Sequence, residues 1–354
     1  MTNEELQSKT IDFLRFPLIV GVVLIHAHLA TNVLQESRFV VYDTVSYLIS
    51  DVVARVAVPL FFFISGFLFF HRSGCFSLST YVCKLKKRTH SILIPYLFWN
   101  LIVILLYFLA QTFLSGLMGE TKLIIHYSVV DWLGAFWSVK GAPICYQFWF
   151  LRDLMVVIVF SPLIYLAIKY LNWFCILILG ILWYFNWWFA LSGFSIAALF
   201  FFSAGAYFGI RSCNFVVSLT PFFLPVTVIY VLLAFICVFF REQSWFRYIH
   251  SLSILVGIAF FITLSAHFLE WGKWSVNPFL VGCAFFIYAY HGMPLILIQK
   301  ISLKSLPFLN DWILFTVYFL STGLIILMGL FIYCLLKRRF PRFLRVMTGG
   351  TLKI

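Results

Sequence analysis

Long apolar runs dominate this sequence and constrain its fold more than any other feature. A helix of about twenty apolar residues is long enough to cross the hydrocarbon core of a bilayer. Only 10% of the 354 residues are charged, whereas soluble domains carry about 25%. These properties predict an all-α, polytopic membrane protein with about ten transmembrane helices. The ten runs lie roughly at 11–30, 52–71, 92–115, 149–170, 173–191, 194–211, 221–240, 249–268, 279–299 and 313–336.

The spacing of the runs bears on how they are arranged. The fifth and sixth are separated by little more than the sequence ALSG (190–193), which predicts a tight helical hairpin. The sequence contains no internal repeat and no low-complexity linker. We therefore expect residues 1–354 to form a single integral-membrane domain.

Basic residues between the runs predict the orientation of the chain. Of the 25 Lys and Arg residues, 16 fall on one side of the predicted bilayer and nine on the other, where Arg55 and Arg152 lie within spans. Cytoplasmic loops carry the excess of Lys and Arg in membrane proteins. Both termini are therefore predicted to be cytoplasmic, and the longest loop, about 116–148, to face outward. Because short loops account for the net charge of +13, no nucleic-acid partner is expected.

The first run carries an arginine and a histidine eleven positions apart, Arg15 and His26. On an α-helix eleven residues advance about 1100°, so both side chains lie on one face, about 16 Å apart along the axis. His28 is rotated by about 200° from His26 and points elsewhere. Ionisable side chains within a bilayer are costly and face a protein interior or a wet cavity. The first helix is therefore predicted to carry a cation at its cytoplasmic end and a titratable base on the same face.

Each of these polar residues also has a purely structural interpretation. An arginine near the end of a span often extends its side chain back to the membrane interface, which is the alternative for Arg15. A histidine within a span can serve as a hydrogen-bonded packing residue, which is the alternative for His26. Ser65 and Gly66 indicate a close helix contact rather than a nucleophile, because small residues let membrane helices approach.

The eight cysteines are scattered, mostly in apolar runs, without a Cys-x-x-Cys pair. We therefore expect small buried thiols, with neither disulfides nor a metal site. The remaining histidines lie at or near the ends of runs and are interpreted as interfacial: His71, His90, His126, His250 and His267.

Six segments, in order along the chain, resemble those of acyltransferase family 3, multi-spanning membrane proteins that O-acylate cell-surface carbohydrates. The first is the pair of Arg15 and His26 with ten residues between them. The others are RVAVPLFFFISGFLF (55–69), KKRTHSILIPYLFW (86–99), FWFLRDL (148–154), FIYAYHGMPL (286–295) and MTGG (347–350). The family often has Arg-x-x-Arg before its third helix, whereas Ser91 stands three positions after Arg88 here. Lys84, Lys86 or Lys87 would have to supply the second charge.

The resemblance implies an O-acyltransferase, in the first instance an O-acetyltransferase. The donor substrate would be cytoplasmic acyl-CoA, with no permanently bound cofactor. The acceptor would be a hydroxyl of an envelope glycan or lipid-linked sugar, and the location the bacterial cytoplasmic membrane. Transfer needs a base for the hydroxyl proton, and His26 is the implied catalytic residue. The implied contacts of the acyl-CoA phosphates are the cations Arg15, Lys84, Lys87 and Arg88.

Further polar or aromatic residues in the spans are candidates for contacts with the acceptor or the acyl carbonyl. Ion pairs, Arg55 with Asp51 and Arg152 with Asp153, are the alternative for the charged ones. By helix geometry His291 lies about 18 Å into the ninth run, roughly level with His26, and its alternative is a purely structural role. The candidates are Arg55, Trp149, Arg152, Asp153 and His291.

A secondary transporter or flippase for a small envelope precursor is the alternative function. Such proteins often show repeated halves, interrupted helices and paired intramembrane acids. This sequence has only twelve acidic residues, few of them deep in a run, and no repeated halves. Binding of acetyl-CoA distinguishes the two functions.

Overall fold

A computed structural model describes residues 1–29, 39–71, 76–113, 122–138, 141–306 and 308–350. Within these ranges the regular structure is helical, without a β-strand, so the all-α prediction is confirmed. The α-helices are α1 (Asn3–Ala27), α2 (Val40–Tyr47), α3 (Ala57–Phe70), α4 (Leu78–Arg88), α5 (Ile94–Phe113), α6 (Val129–Phe136), α7 (Trp149–Val159), α8 (Ser161–Leu171), α9 (Trp173–Phe185), α10 (Ile196–Ile210), α11 (Phe215–Leu219), α12 (Phe223–Phe239), α13 (Phe246–Glu270), α14 (Pro278–Tyr290), α15 (Gly292–Ser305), α16 (Asp311–Arg339) and α17 (Pro341–Thr348).

Short π-helical and 3-10 turns join several of these helices. The π turn Leu48–Val53 and the 3-10 turn Ala54–Val56 join α2 to α3, and the π turn Thr89–Leu93 joins α4 to α5. In the described ranges, six continuous helical segments are long and apolar enough to cross a membrane. They are Asn3–Ala27, Val40–Phe70, Leu78–Phe113, Phe215–Phe239, Phe246–Glu270 and Asp311–Arg339.

Two further apolar segments are bent rather than straight. Helix α7 meets α8 at 61°, and α14 meets α15 at 62°, so the described ranges contain up to eight spans if each bent pair counts as one. Pro162 and Pro294 lie in the first turns of α8 and α15. A proline there lacks the N–H that would continue the preceding helix, and its ring clashes with the carbonyl four residues back. The sequence therefore breaks both helices.

The predicted fifth and sixth spans correspond to α9 and α10, which have 13 and 15 residues. Helices of that length fall short of the roughly twenty residues needed to cross a bilayer. The multi-pass architecture is confirmed, whereas ten spans and cytoplasmic termini remain predictions.

The connection between α9 and α10 is longer than predicted. Asn186 adopts a left-handed conformation (φ 54°) that ends α9, and α10 begins only at Ile196. The two helices still pack together, with the Trp183 ring 4.9 Å from that of Phe201. The predicted helix pair is present, but its connection is not as tight as expected, because the aromatic residues 187–189 extend the apolar run beyond the end of the helix.

Helices α3 and α10 pack with their backbones in direct contact. A Cβ atom added to Gly66 would lie 1.9 Å from the carbonyl oxygen of Phe202, and one added to Gly205 would lie 1.8 Å from that of Phe63. Both distances are far inside van der Waals contact. The close helix contact predicted at Ser65–Gly66 is therefore confirmed at Gly66.

We expect Gly205→Ala to lower the free energy of unfolding by about 1–3 kcal/mol, because the added methyl group must push two backbones apart. The matched control is Gly323→Ala in α16, where an added Cβ meets nothing within 4 Å. That substitution should be neutral or slightly stabilising, since alanine favours helix over glycine by about 1 kcal/mol. Thermal unfolding of the detergent-solubilised variants measures both effects. Equal melting temperatures would contradict the packing described here.

The segment before α7 folds back along α5. Gln111, near the end of α5, donates to the carbonyl of Lys122 at 3.0 Å. Two turns from the start of α5, the amide oxygen of Asn100 accepts the backbone N–H of Cys145 at 3.1 Å. Closer still to the start of α5, the Tyr96 hydroxyl donates to the carbonyl of Phe136. The predicted outer loop thus returns into the bundle and delivers the 3-10 turn Tyr146–Phe148 to its interior.

Candidate active site

Helix α1 lies at the centre of the bundle, in contact with α3, α13, α14, α15 and α16. Its buried face carries Leu14, Leu18 and Val22, which fix the rotation of the helix. His26 stands in the last turn, half-buried, with its ring centroid 5.0 Å from that of Tyr146 and 5.3 Å from that of His291. The prediction that His26 and His291 lie at one level is confirmed. In the described part of the chain, neither ring nitrogen of His26 has a hydrogen-bond partner.

His291 occupies the break between α14 and α15 and is fully buried. Its Nδ1 lies 2.7 Å from the carbonyl oxygen of Tyr288 and 3.3 Å from that of Ile287. Since carbonyls only accept hydrogen bonds, Nδ1 carries the proton. Its Nε2 is buried without a partner among the described residues. The ring is thus held in a known orientation with one nitrogen unused.

The 3-10 turn Tyr146–Phe148 holds the break in place. Gln147 donates through Nε2 to the carbonyl of Ala289 at 3.0 Å, and the Tyr288 hydroxyl donates to the carbonyl of Gln147 at 2.7 Å. A Cβ on Gly292 would lie 2.4 Å from Oε1 of Gln147, so a side chain there would displace the Gln147 amide. The same turn therefore fixes the helix break and presses Tyr146 against His26.

Neither Tyr146 nor Gln147 was identified from the sequence. The available signal was their position directly before the FWFLRDL segment (148–154), which resembles the start of the family's fourth helix. They precede the apolar run, and nothing local indicates that their loop returns into the bundle.

His28 belongs to a separate cluster, as its predicted rotation from His26 requires. Its Nδ1 lies 2.8 Å from Oδ2 of Asp51, a residue of the π turn before α3. Arg55 donates to Oδ1 of the same carboxylate, through Nη2 at 2.6 Å and Nε at 3.1 Å. His250, expected at the interface, places its Nε2 2.8 Å from the Asp51 carbonyl oxygen. The Arg55–Asp51 ion pair named as the alternative is thus present, although 48% of the Arg55 side chain remains exposed.

Arg152 and Asp153 form the second ion pair named as an alternative, and it is buried. Arg152 donates to Oδ1 of Asp153 through Nε at 3.2 Å and Nη2 at 3.1 Å. Its Nη1 donates to the carbonyls of Ser138 at 2.8 Å and Gly141 at 2.5 Å. Three of its nitrogens are therefore used in holding the returning loop against α7. Trp149, at the start of α7, packs partly buried against the apolar core.

The predicted donor-binding cations lie in different environments. Arg15 is half-exposed, with Nη1 3.3 Å from Oδ1 of Asp12. The Lys84 ammonium donates to the carbonyl of Phe69 and lies over its ring, where it caps the end of α3. Lys87 is exposed on α4. Ser91, at the position of the missing arginine, packs against the tail, since a Cβ on Gly349 would lie 2.5 Å from its carbonyl oxygen.

Arg88 faces a cavity of about 320 Å³ between the α4–α5 segment and α7. The walls are mostly apolar and include Ile92, Met155 and Trp137. Within the described ranges Arg88 has neither a hydrogen bond nor an ion pair. It lies close enough to Arg15 for the two charges to interact. A half-buried cation without a counter-ion is a suitable place for an anionic ligand.

Comparison with known proteins identifies a relative and a family. The Succinoglycan biosynthesis protein ExoH of Rhizobium meliloti (strain 1021) is 29% identical over 168 residues, which are 46% of this chain and 43% of the relative. The match thus spans less than half of either protein. No solved structure matches the chain significantly. A family model described as an acyltransferase domain matches residues 8–346. The chain therefore belongs to acyltransferase family 3 and is a multi-pass membrane protein of that family.

Proposed function

We propose that this protein is a membrane O-acyltransferase, specifically an O-acetyltransferase, of the bacterial cytoplasmic membrane. It takes the acyl group from cytoplasmic acyl-CoA and delivers it to a hydroxyl of an envelope glycan or lipid-linked sugar. The observation that carries the proposal is the environment of His26. Its imidazole lies inside the helix bundle, beside Tyr146 and His291, without a hydrogen-bond partner among the described residues. The chain belongs to a family of acyltransferases. The succinoglycan biosynthesis function in the relative's name supports a carbohydrate acceptor.

His26 serves as the base in the proposed reaction. The acceptor hydroxyl gives its proton to the free lone pair of His26 while its oxygen attacks the thioester carbon. The ester C–O bond forms, the C–S bond breaks, and the proton passes from His26 to the coenzyme A thiolate. Tyr146, whose ring contacts His26, is our candidate for donating a hydrogen bond to the developing oxyanion. An acyl-histidine intermediate would use the same His26 nitrogen as a nucleophile.

The donor approaches from the side that carries most of the Lys and Arg residues. The excess of positive charge predicts that this side, with both termini, is cytoplasmic. Arg15, Arg88 and exposed Lys87 are proposed to bind its phosphates. The absence of an anionic partner for Arg88 among the described residues supports this assignment. Lys84 contributes less in this proposal, because its ammonium already caps α3.

The acceptor approaches from the opposite side, where the returning loop is situated. Trp132 is 39% exposed, and an exposed indole ring is suited to stacking on sugar faces. Half-exposed Arg55, together with Trp149 and His291, remains a candidate for acceptor or carbonyl contacts. Arg152 and Asp153 are assigned instead to holding the loop, since their polar groups are already paired.

A transporter remains the alternative for one reason. The breaks at α7–α8 and α14–α15 are interrupted helices of the kind that transporters use. Family membership favours the enzyme. A transporter should neither bind nor hydrolyse acetyl-CoA.

The experiment that tests the proposed function is mass spectrometry of envelope glycans from cells with and without the gene. Loss of an acyl mass from the glycan in the deletion strain, restored by the wild-type gene, is the expected result. Identical glycan masses in both strains would overturn the proposed acceptor class.

We expect Arg15→Ala to raise the KM for acetyl-CoA by about ten- to a hundredfold, the effect of losing one charge-assisted hydrogen bond. Arg15→Lys should recover only part of the affinity, because the bidentate guanidinium is lost. The matched control is Arg342→Ala, an exposed arginine of α17, which should leave KM unchanged. Donor titrations in detergent measure all three. An unchanged KM in Arg15→Ala would make Arg15 an orientation residue only.

A further inference from the structure

The unused nitrogen of His291 is the feature that the proposed reaction leaves unexplained. Nε2 is buried and has no partner among the described residues. A buried acceptor left unpaired lowers the stability of the folded protein. The break at α14–α15 is nevertheless held in place around this ring by Gln147 and Tyr288. A partner for Nε2 should therefore appear in the working enzyme.

The protonation of Nε2 follows from that of Nδ1 in the same His291 ring. Because Nδ1 donates its proton to the carbonyl of Tyr288, the Nε2 of neutral His291 carries a lone pair and can only accept a hydrogen bond. The partner must therefore be a donor. Neutral His26, whose ring centroid is 5.3 Å away with the ring planes inclined at 33°, carries one N–H group that can serve as this donor.

We propose that His291 is a positioning residue for His26, accepting a hydrogen bond from the N–H of the His26 ring. The separation of the ring centroids leaves room for one N–H···N hydrogen bond of about 3 Å, reached by a rotation of the His26 ring. His26, with no other partner in the described ranges, is free to make that rotation. The inference rests on the catalytic role proposed above for His26.

The hydrogen bond selects the tautomer of His26. With one ring nitrogen donating to His291, the other must carry the lone pair, directed away from His291. That nitrogen is then available for the acyl carbon or the hydroxyl proton. A partner that fixes the tautomer of a catalytic histidine is commonly a carboxylate or a carbonyl. Here a second imidazole would act, itself oriented by the carbonyl of Tyr288.

The test measures the reactivity of His26 directly, with diethylpyrocarbonate, which acylates neutral imidazole nitrogen. Peptide mass spectrometry of the detergent-solubilised full chain gives the rate at each histidine. In His291→Phe, which keeps a buried ring but removes the acceptor, the rate at His26 should fall about tenfold. His291→Gln, whose amide oxygen can accept the same hydrogen bond, should restore at least a third of the wild-type rate. Exposed His126 in each variant serves as the internal reference.

A matched variant separates positioning from damage to the helix break. Tyr288→Phe removes the hydrogen bond to the Gln147 carbonyl but keeps His291 and the carbonyl that orients it. The rate at His26 should stay near wild type. Equal losses in Tyr288→Phe and His291→Phe, or no loss in His291→Phe, would overturn the proposal. Because no acyl-CoA is used, these outcomes are independent of whether the proposed donor is correct.

Discussion

Replacing His26 with alanine is expected to lower the rate of acyl transfer by at least about 10²- to 10⁴-fold, the usual contribution of a general base. The substitution removes an imidazole whose ring contacts those of Tyr146 and His291. This imidazole has no hydrogen-bond partner among the described residues. Folding and donor affinity should persist, because His26 makes no hydrogen bond within the described chain and Arg15 is untouched. Initial rates with acetyl-CoA and purified glycan, together with donor titrations, measure both quantities.

The matched control is His28→Ala on the same helix. This variant loses the hydrogen bond to Asp51, at a cost of about 1 kcal/mol in stability. Arg55 still pairs with that carboxylate, so the cluster is retained. Transfer should continue near the wild-type rate. An inactive His28 variant beside an active His26 variant would reverse the assignment of the two faces of α1.

Arg152→Ala is expected to lower the free energy of unfolding by about 3–5 kcal/mol, the penalty for leaving a buried carboxylate unpaired. Arg152 and Asp153 are each 4% exposed in their side chains. The substitution also removes the donor to the carbonyls of Ser138 and Gly141. We therefore expect the returning loop to become sensitive to proteases. Thermal unfolding and limited proteolysis in detergent measure the two effects.

Two further variants show whether burial of the Asp153 charge causes the destabilisation expected in Arg152→Ala. Arg55→Ala breaks an ion pair whose arginine is half-exposed, so it should lower stability by about 1 kcal/mol or less. The double variant Arg152→Leu with Asp153→Leu should be more stable than Arg152→Ala, because no unpaired charge remains. Equal destabilisation by Arg152→Ala and Arg55→Ala would contradict the buried network.

Local helical geometry explains what the sequence could predict of the site. The level match of His26 with His291 follows from rise per residue and the order of the runs. The separation of His28 from His26 follows from rotation per residue. Gly66 indicated a close helix contact because the absence of a side chain is itself a local property. These features need no knowledge of distant partners.

Features that depend on distant partners could not be predicted in the same way. The bend at His291 has a local cause in Pro294, but its geometry depends on Gln147, whose amide lies against Gly292. The return of the loop along α5 depends on hydrogen bonds that Tyr96 and Gln111 donate and that Asn100 accepts. A hydropathy profile contains no information on such hydrogen bonds between distant residues. It therefore missed Tyr146, which the loop brings to His26.

The measurement that tests the central claim most directly is transfer of label from acetyl-CoA in sealed membrane vesicles. Acetyl-CoA labelled in its acetyl group is added outside the vesicles, and the label in the envelope glycan is counted. Inverted vesicles, which expose the cytoplasmic face, should label the glycan with wild-type protein and not with His26→Ala. Sealed right-side-out vesicles should give no label with either protein. Labelling by His26→Ala at the wild-type rate, or equal labelling from both faces, would contradict a cytoplasmic donor whose acyl group is transferred through His26.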